Sequence, residues 1–211
     1  ARKVRMPFAL SPTARLLLSL YIPSMIMSLG QGMVVPTIPV LAQSFEVSVG
    51  MAAQAVTAQL LGRTLLLLPA GQIIDRWGRR PAMLIGPALM AAASFLTALS
   101  PTFTLVLAAQ FMAGAGSCLW STAREIAAVD VVKPEHRGRM LSGFMGMASV
   151  GTAVGPAVGG VVAQAFGFRS VFWVYGLMGL LTLAVSLRLP ETGTVGRRRT
   201  GGRFGSVREV R

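Results

Sequence analysis

Four long stretches of this chain carry no Asp, Glu, Lys or Arg: residues 16–44, 81–123, 140–168 and 170–187. A helix needs about 20 predominantly apolar residues to cross a bilayer. Each stretch can supply a crossing, and 81–123 is long enough for two. Residues 51–74 form a further apolar run, interrupted only by Arg63. The pattern therefore predicts six transmembrane helices, at Leu16–Leu41, Met51–Ile74, Ala82–Leu99, Thr102–Ser121, Leu141–Gln164 and Val171–Leu187. Polar or turn-forming breaks fall at Ala42–Gly50, Asp75–Pro81, Ser100–Thr102, Arg124–Met140 and Ala165–Ser170. The short Ser-Pro break suits a tight link between two antiparallel helices. The expected fold class is an all-α membrane protein. Its domains are a cytoplasmic N-terminus (1–15), a six-helix transmembrane domain (16–187) and a basic cytoplasmic linker (188–211).

Composition agrees. The 211 residues are 53% hydrophobic and 13% charged, about half the charge of an ordinary soluble domain. The net charge of +13 raises nucleic-acid binding as a reading. Phosphate-binding basic residues, however, cluster on one solvated face or arm, whereas here they punctuate apolar spans. Placing the N-terminus inside puts Arg2, Lys3, Arg5 and Arg15, then Arg76, Arg79 and Arg80, then Arg124, Lys133, Arg137 and Arg139, and then the tail from Arg188 to Arg211, on the cytoplasmic side. Only Arg169 falls outside, and Arg63 lies within a span. Lys and Arg near span ends concentrate on the cytoplasmic face, so both termini are expected in the cytoplasm and the protein in the cytoplasmic (inner) membrane.

The basic start before an apolar run resembles a secretory signal. The run is long, contains Gln31, Pro36 and Pro39, and leads into further spans, so a retained first helix is expected. Pro36 and Pro39 should bend or break its outer part. The chain begins with Ala1, which suggests a trimmed or partial sequence. The lone Cys118 lies in an apolar span and the lone His136 in a polar loop. No disulfide, metal site or cofactor is expected, and no nucleophile-and-base constellation points to an enzyme.

Two segments carry more specific chemistry. The break after the second span reads Gly71-Gln72-Ile73-Ile74-Asp75-Arg76-Trp77-Gly78-Arg79-Arg80. Gly71 would let helices approach closely and Gly78 would permit a tight turn. Asp75 beside Arg76, Arg79 and Arg80 can form a charge cluster that holds one conformation shut. The fifth span contains Gly151, Gly155 and Gly159 every four residues, with Pro156 and Gly160. Such spacing gives a helix face without side chains, suited to backbone-to-backbone packing.

The first segment resembles the G-x-x-x-D-R-x-G-R-R signature of the major facilitator superfamily, at the same place in the span order. The second is similar to the G-x-x-x-G-P-x-x-G-G motif of that superfamily's drug/proton antiporters. The basic loop Lys133–Arg139 and the Leu189-Pro190-Glu191-Thr192 stretch also resemble the family. The resemblance implies two inverted three-helix repeats forming the N-terminal half of a facilitator fold. A C-terminal six-helix half is the implied partner, and the implied cargo is a small molecule bound near the midplane. It further implies alternating access, with protons as co-substrate. One departure stands out: the family's proton-linked arginine in the fourth span is here Gln110, which cannot titrate.

Arg63 sits near the middle of the second span. A central arginine costs about 2.5–3.5 kcal/mol to insert, and the six leucines at 60, 61 and 65–68 offset roughly that much. Intramembrane charges usually face a pathway, so Arg63 is a substrate or coupling candidate, with Gln31, Gln59 and Gln110 as polar cavity candidates. Glu125 and Asp130 are charge-relay candidates, able to pair with Arg79 or Arg76. The leading expectation is proton-linked export of small molecules. An importer or facilitator of the same fold is the first alternative, and a non-transporting sensor or inactive half-transporter the second.

Overall fold

A computed structural model describes residues 12–131 and 134–187, with side chains described for 21–129 and 134–187. The expected breaks become short links. Helix α1 (Pro12–Val34) tightens into a 3-10 turn at Val35–Thr37 and resumes as α2 (Ile38–Ser44). Pro36 and Pro39 thus break the first crossing, and Thr37 Oγ1 donates to the Val34 carbonyl at 2.5 Å within the break. Helix α3 (Val49–Trp77) opens on Ser48, whose hydroxyl accepts from the Met51 amide at 3.1 Å. Helix α4 spans Arg79–Leu99, α5 Phe103–Val131, α6 Arg137–Phe166 and α7 Phe168–Leu187. With α1 and α2 taken together, six segments are long and apolar enough to cross a membrane.

Two of the links are single glycines. Gly78, between α3 and α4, has φ 92° and ψ 168°. Gly167, between α6 and α7, has φ 79° and ψ 169°. This backbone region is accessible essentially only to glycine. The two turns join the second crossing to the third and the fifth to the sixth, so they occupy equivalent places in two three-helix repeats.

Packing repeats the same equivalence. Crossing one (α1) packs along crossing five (α6), and crossing four (α5) packs along crossing two (α3). Exchanging the triplets exchanges these two pairs. Helices α4 and α5 form the other extensive pair, and α4 also packs along α7. The chain is therefore two inverted three-helix repeats, as the resemblance implied.

Two apolar clusters fill the interior. One joins Ala70, Ile74, Ala82, Met83, Leu119, Ala127, Met140 and Phe144. The other joins Met27, Leu41, Ala55, Met90, Val106, Phe172 and Tyr175. Helices α3 and α6 are the least buried of the crossings, and their outer faces are broadly exposed. Leu60, Leu61, Leu65, Leu67 and Leu68 on α3, and Val150, Val154, Val158 and Val161 on α6, point away from the bundle.

The number of crossings matches the sequence reading, but the fourth crossing runs ten residues past its expected end at Ser121, to Val131. Charge at Arg124 and Glu125 suggested a loop. The helix continues because Ala123, Ala127 and Ala128 on the same face remain in the first of these clusters. The terminal segments 1–11 and 188–211 lie outside the described residues.

Candidate functional site

The charged turn lies at the end of α3. The Gly78 amide donates to the Ile74 carbonyl at 2.9 Å, closing the helix as α4 begins. Asp75, Arg76 and Arg80 are exposed, while Arg79 is half-buried and engaged. Among the described residues Asp75 forms no ion pair with Arg76, Arg79 or Arg80. Gly71 makes no close approach among the described residues: a Cβ there would meet nothing within 4 Å. The close approach of α3 occurs at Gly62, where a Cβ would overlap the Phe111 carbonyl oxygen of α5. Nine residues, two and a half helical turns, put Gly71 on the opposite side.

The glycine ladder of α6 lies directly against α1. A Cβ at Gly151 would stand 2.6 Å from the Met25 carbonyl oxygen, one at Gly155 2.6 Å from that of Leu29, and one at Gly159 2.6 Å from that of Met33. Gly160 is not part of this contact: its Cβ would reach only Pro36, at 3.8 Å. Pro156 lies inside α6 on an exposed face. The repeat-equivalent crossing uses the same device, since a Cβ at Gly114 of α5 would overlap the Gln59 carbonyl oxygen of α3.

The polar candidates separate. Gln110 is 1% exposed and donates through Nε2 to Thr97 Oγ1 at 3.1 Å, with its Oε1 lacking a partner. It bridges α5 to α4 rather than lining a cavity, because its face of α5 is the one that packs on α4. Gln31 is half-buried on α1 beside the Tyr175 hydroxyl of α7. Gln59 is half-buried on α3. Arg63 is exposed, fourteen residues from each end of α3. Glu125 turns to its neighbour Arg124, at 3.5 Å, rather than to Arg79 or Arg76. The side chain of Asp130 lies outside those described.

Arg124, assigned to a loop on sequence, is the main residue that reading missed. It is 7% exposed. Its guanidinium lies over the Trp120 ring, 4.6 Å from the centroid, and 5.1 Å from that of Phe144 on α6. Nη1 donates to Ser24 Oγ of α1 at 2.8 Å, Nη2 faces Glu125 Oε1, and Nε has no partner. Trp120 is eleven residues before the end of α5, so the guanidinium beside it lies roughly 16 Å in from that end of the helix. A sequence signal existed: Arg124 follows Trp120 by four and precedes Ala127 and Ala128 by three and four, which places it on one helical face with buried residues.

An exposed arginine at the middle of α3 and a buried one on α5 lie within the same pair of three-helix repeats. The family model described as Major Facilitator Superfamily matches residues 20–210, and the chain belongs to that superfamily of membrane transporters. It is 31% identical over 151 residues to the multidrug resistance protein MdtL of Escherichia coli, covering 71% of this chain and 38% of the relative; MdtL of Shigella boydii matches equally. The chain thus spans well under half the length of these curated relatives. Among solved structures, a D-xylose–proton symporter superposes with a TM-score of 0.73 at 17% identity, over 83% of this chain and 48% of its own. A peptide transporter solved with sulfate gives 0.73 at 18% identity, over 87% and 38%. At such identities the likeness is one of fold.

Proposed function

We propose that this chain is the first half of a secondary transporter in the inner membrane, moving small molecules by alternating access in proton-linked export, with both termini cytoplasmic. The carrying observation is Arg63, a charge exposed at the middle of a span, beside exposed Leu60, Leu61, Leu65, Leu67 and Leu68. Such a charge is poorly placed against lipid and well placed against a pathway. The same faces of α3 and α6 would meet a second six-helix half, and Asp75 with Arg76 and Arg80 would pair across the cytoplasmic end to latch one state. The similarity to multidrug resistance relatives supports export of chemically varied compounds.

A second reading, a facilitator without proton coupling, is favoured by one observation: Gln110 is a buried neutral amide where related antiporters carry a charge. Everted vesicles containing the chain separate the readings. Fluorescent compounds of positive, neutral and negative charge are followed with and without an imposed proton gradient. Gradient-driven accumulation is expected. Gradient-independent equilibration would favour the facilitator, and no movement of any compound would leave a sensor or inactive half.

A further inference from the structure

At the end of the bundle opposite Gly78, a cavity of about 410 Å³ opens between the end of α2 and the turn that joins α6 to α7. Its walls are the rings of Phe45, Phe166 and Phe168, with Ser44, Gly167 and Arg169. The Ser44 hydroxyl donates to the Val40 carbonyl at 2.8 Å, so Arg169 is the side chain there with donors to spare. Arg169 is exposed, and its guanidinium lies over the Phe168 ring, 5.7 Å from the centroid. Among the described residues it forms no ion pair, not even with exposed Glu46 next to Phe45. A cation without a carboxylate thus stands at the lip of an aromatic-walled cavity.

Arg169 also heads a stripe along α7. Trp173, Leu177 and Leu181 follow at intervals of four, and all are exposed. That spacing keeps them on one helical face. From Arg169 to Leu181 the stripe runs roughly 18 Å, against about 15 Å for one leaflet of the hydrocarbon core. Read inward from the helix end, the order is cation, indole, aliphatic. A phospholipid presents phosphate, glycerol ester and acyl chain in the same order, and an indole suits the ester level because one side of it is apolar and the other wet. The Phe95 ring, 5.1 Å away, backs the Trp173 indole in place.

We propose that this face of α7 holds an anionic phospholipid, with its phosphate on Arg169 at the cavity mouth and one acyl chain along Trp173, Leu177 and Leu181. A guanidinium pairs with two phosphate oxygens at once. Net headgroup charge then selects among lipids, because no carboxylate of the protein compensates Arg169 and a choline headgroup would bring a second cation to it. The site requires only that α7 crosses a membrane, and it stands whether or not the chain moves a solute.

Trp173 itself reports on the site. Trp77 is exposed at the other end of the bundle, beside Arg76 and Arg80, so it is replaced in a Trp77→Phe chain; Trp120 is buried away from lipid contact. This chain is placed in phosphatidylcholine nanodiscs that carry either phosphatidylglycerol or phosphatidylcholine brominated in its acyl chains, a contact quencher of indole. Quenching by the brominated phosphatidylglycerol is expected at about fivefold lower mole fraction, the preference that one arginine near an anionic lipid supplies. Arg169→Gln should erase the preference and leave quenching by phosphatidylcholine unchanged, while Arg169→Lys keeps part of it. If Arg169→Gln does not insert, Phe166→Glu decides: Phe166 is exposed, and a carboxylate at the cavity wall should cancel the preference. Equal quenching by the two lipids, or a preference that survives Arg169→Gln or Phe166→Glu, overturns the proposal. Relief of the quenching by millimolar inorganic phosphate would give Arg169 to a free anion and remove the lipid. Quenching by neither lipid would mean that a second copy of the chain covers the stripe, and would remove the lipid as well.

Discussion

The hydroxyl of Ser24 on the first crossing accepts a 2.8 Å hydrogen bond from Arg124 on the fourth, across one hundred residues of chain. The bond links the leading helices of the two repeats, and both of its partners are buried.

Removing that acceptor leaves a buried charged donor unsatisfied. Ser24→Ala should destabilise the bundle by about 1–3 kcal/mol, read as a lower thermal midpoint in detergent. In an Arg124→Met background the same change should cost little, because no donor remains to be orphaned. A double-mutant cycle measures the coupling, and full additivity of the two changes would argue against the bond.

Arg124→Met alone should preserve or raise thermal stability. A long apolar side chain can rest on Trp120 and Phe144, and replacing a poorly compensated buried charge is often neutral or stabilising. A large loss of stability would show that the guanidinium's contacts with the two rings, about 2 kcal/mol for a desolvated cation–π pair, dominate instead.

The glycine crossings give a graded series. Gly155→Ala drives a methyl into the α1 backbone and should cost about 1–3 kcal/mol by overpacking. Gly160→Ala and Gly71→Ala meet open or ordinary space, and should gain roughly 0.5–1 kcal/mol from helix propensity. Unfolding in a denaturing detergent ranks the three, and equal effects would contradict the packing described.

Gly78→Ala must place a Cβ in a backbone region closed to it, at a cost of about 1–3 kcal/mol. Gly167→Ala should cost a similar amount, since the two residues share nearly the same angles. A clear inequality between them would mean that one turn relaxes and the other does not.

Arg63→Leu should insert into membranes more readily, by about 3 kcal/mol or more on insertion scales, while losing transport in everted vesicles. Transport at the original rate with normal insertion would remove Arg63 from the pathway.

Much of the architecture was legible in the sequence because bilayer thickness sets a length that apolar runs must meet. Charge-free stretches located six crossings, Pro36 and Pro39 located the break in the first, and the spacing of Gly151, Gly155 and Gly159 located a close helix contact. The charge rule failed where it was applied to Arg124. A guanidinium that finds two aromatic rings and a hydroxyl can be buried, but only the tertiary structure brings Ser24 and Phe144 to it. Gln110 failed for a related reason. Its polarity suggested a cavity, yet Thr97 on the neighbouring helix answers its amide. The motif gives Gly71 without its helical face, and the side of α3 that meets α5 is the one carrying Gly62.

The one-residue turns at Gly78 and Gly167 also bear on where the protein can be altered in the laboratory. A link with a single pair of torsions has no slack, so an epitope or fluorescent reporter spliced there would pry two helices apart. The segment between α2 and α3 is longer and surface-lying, with Glu46 already at φ 53°, and it should accept such an insertion while leaving both repeats intact.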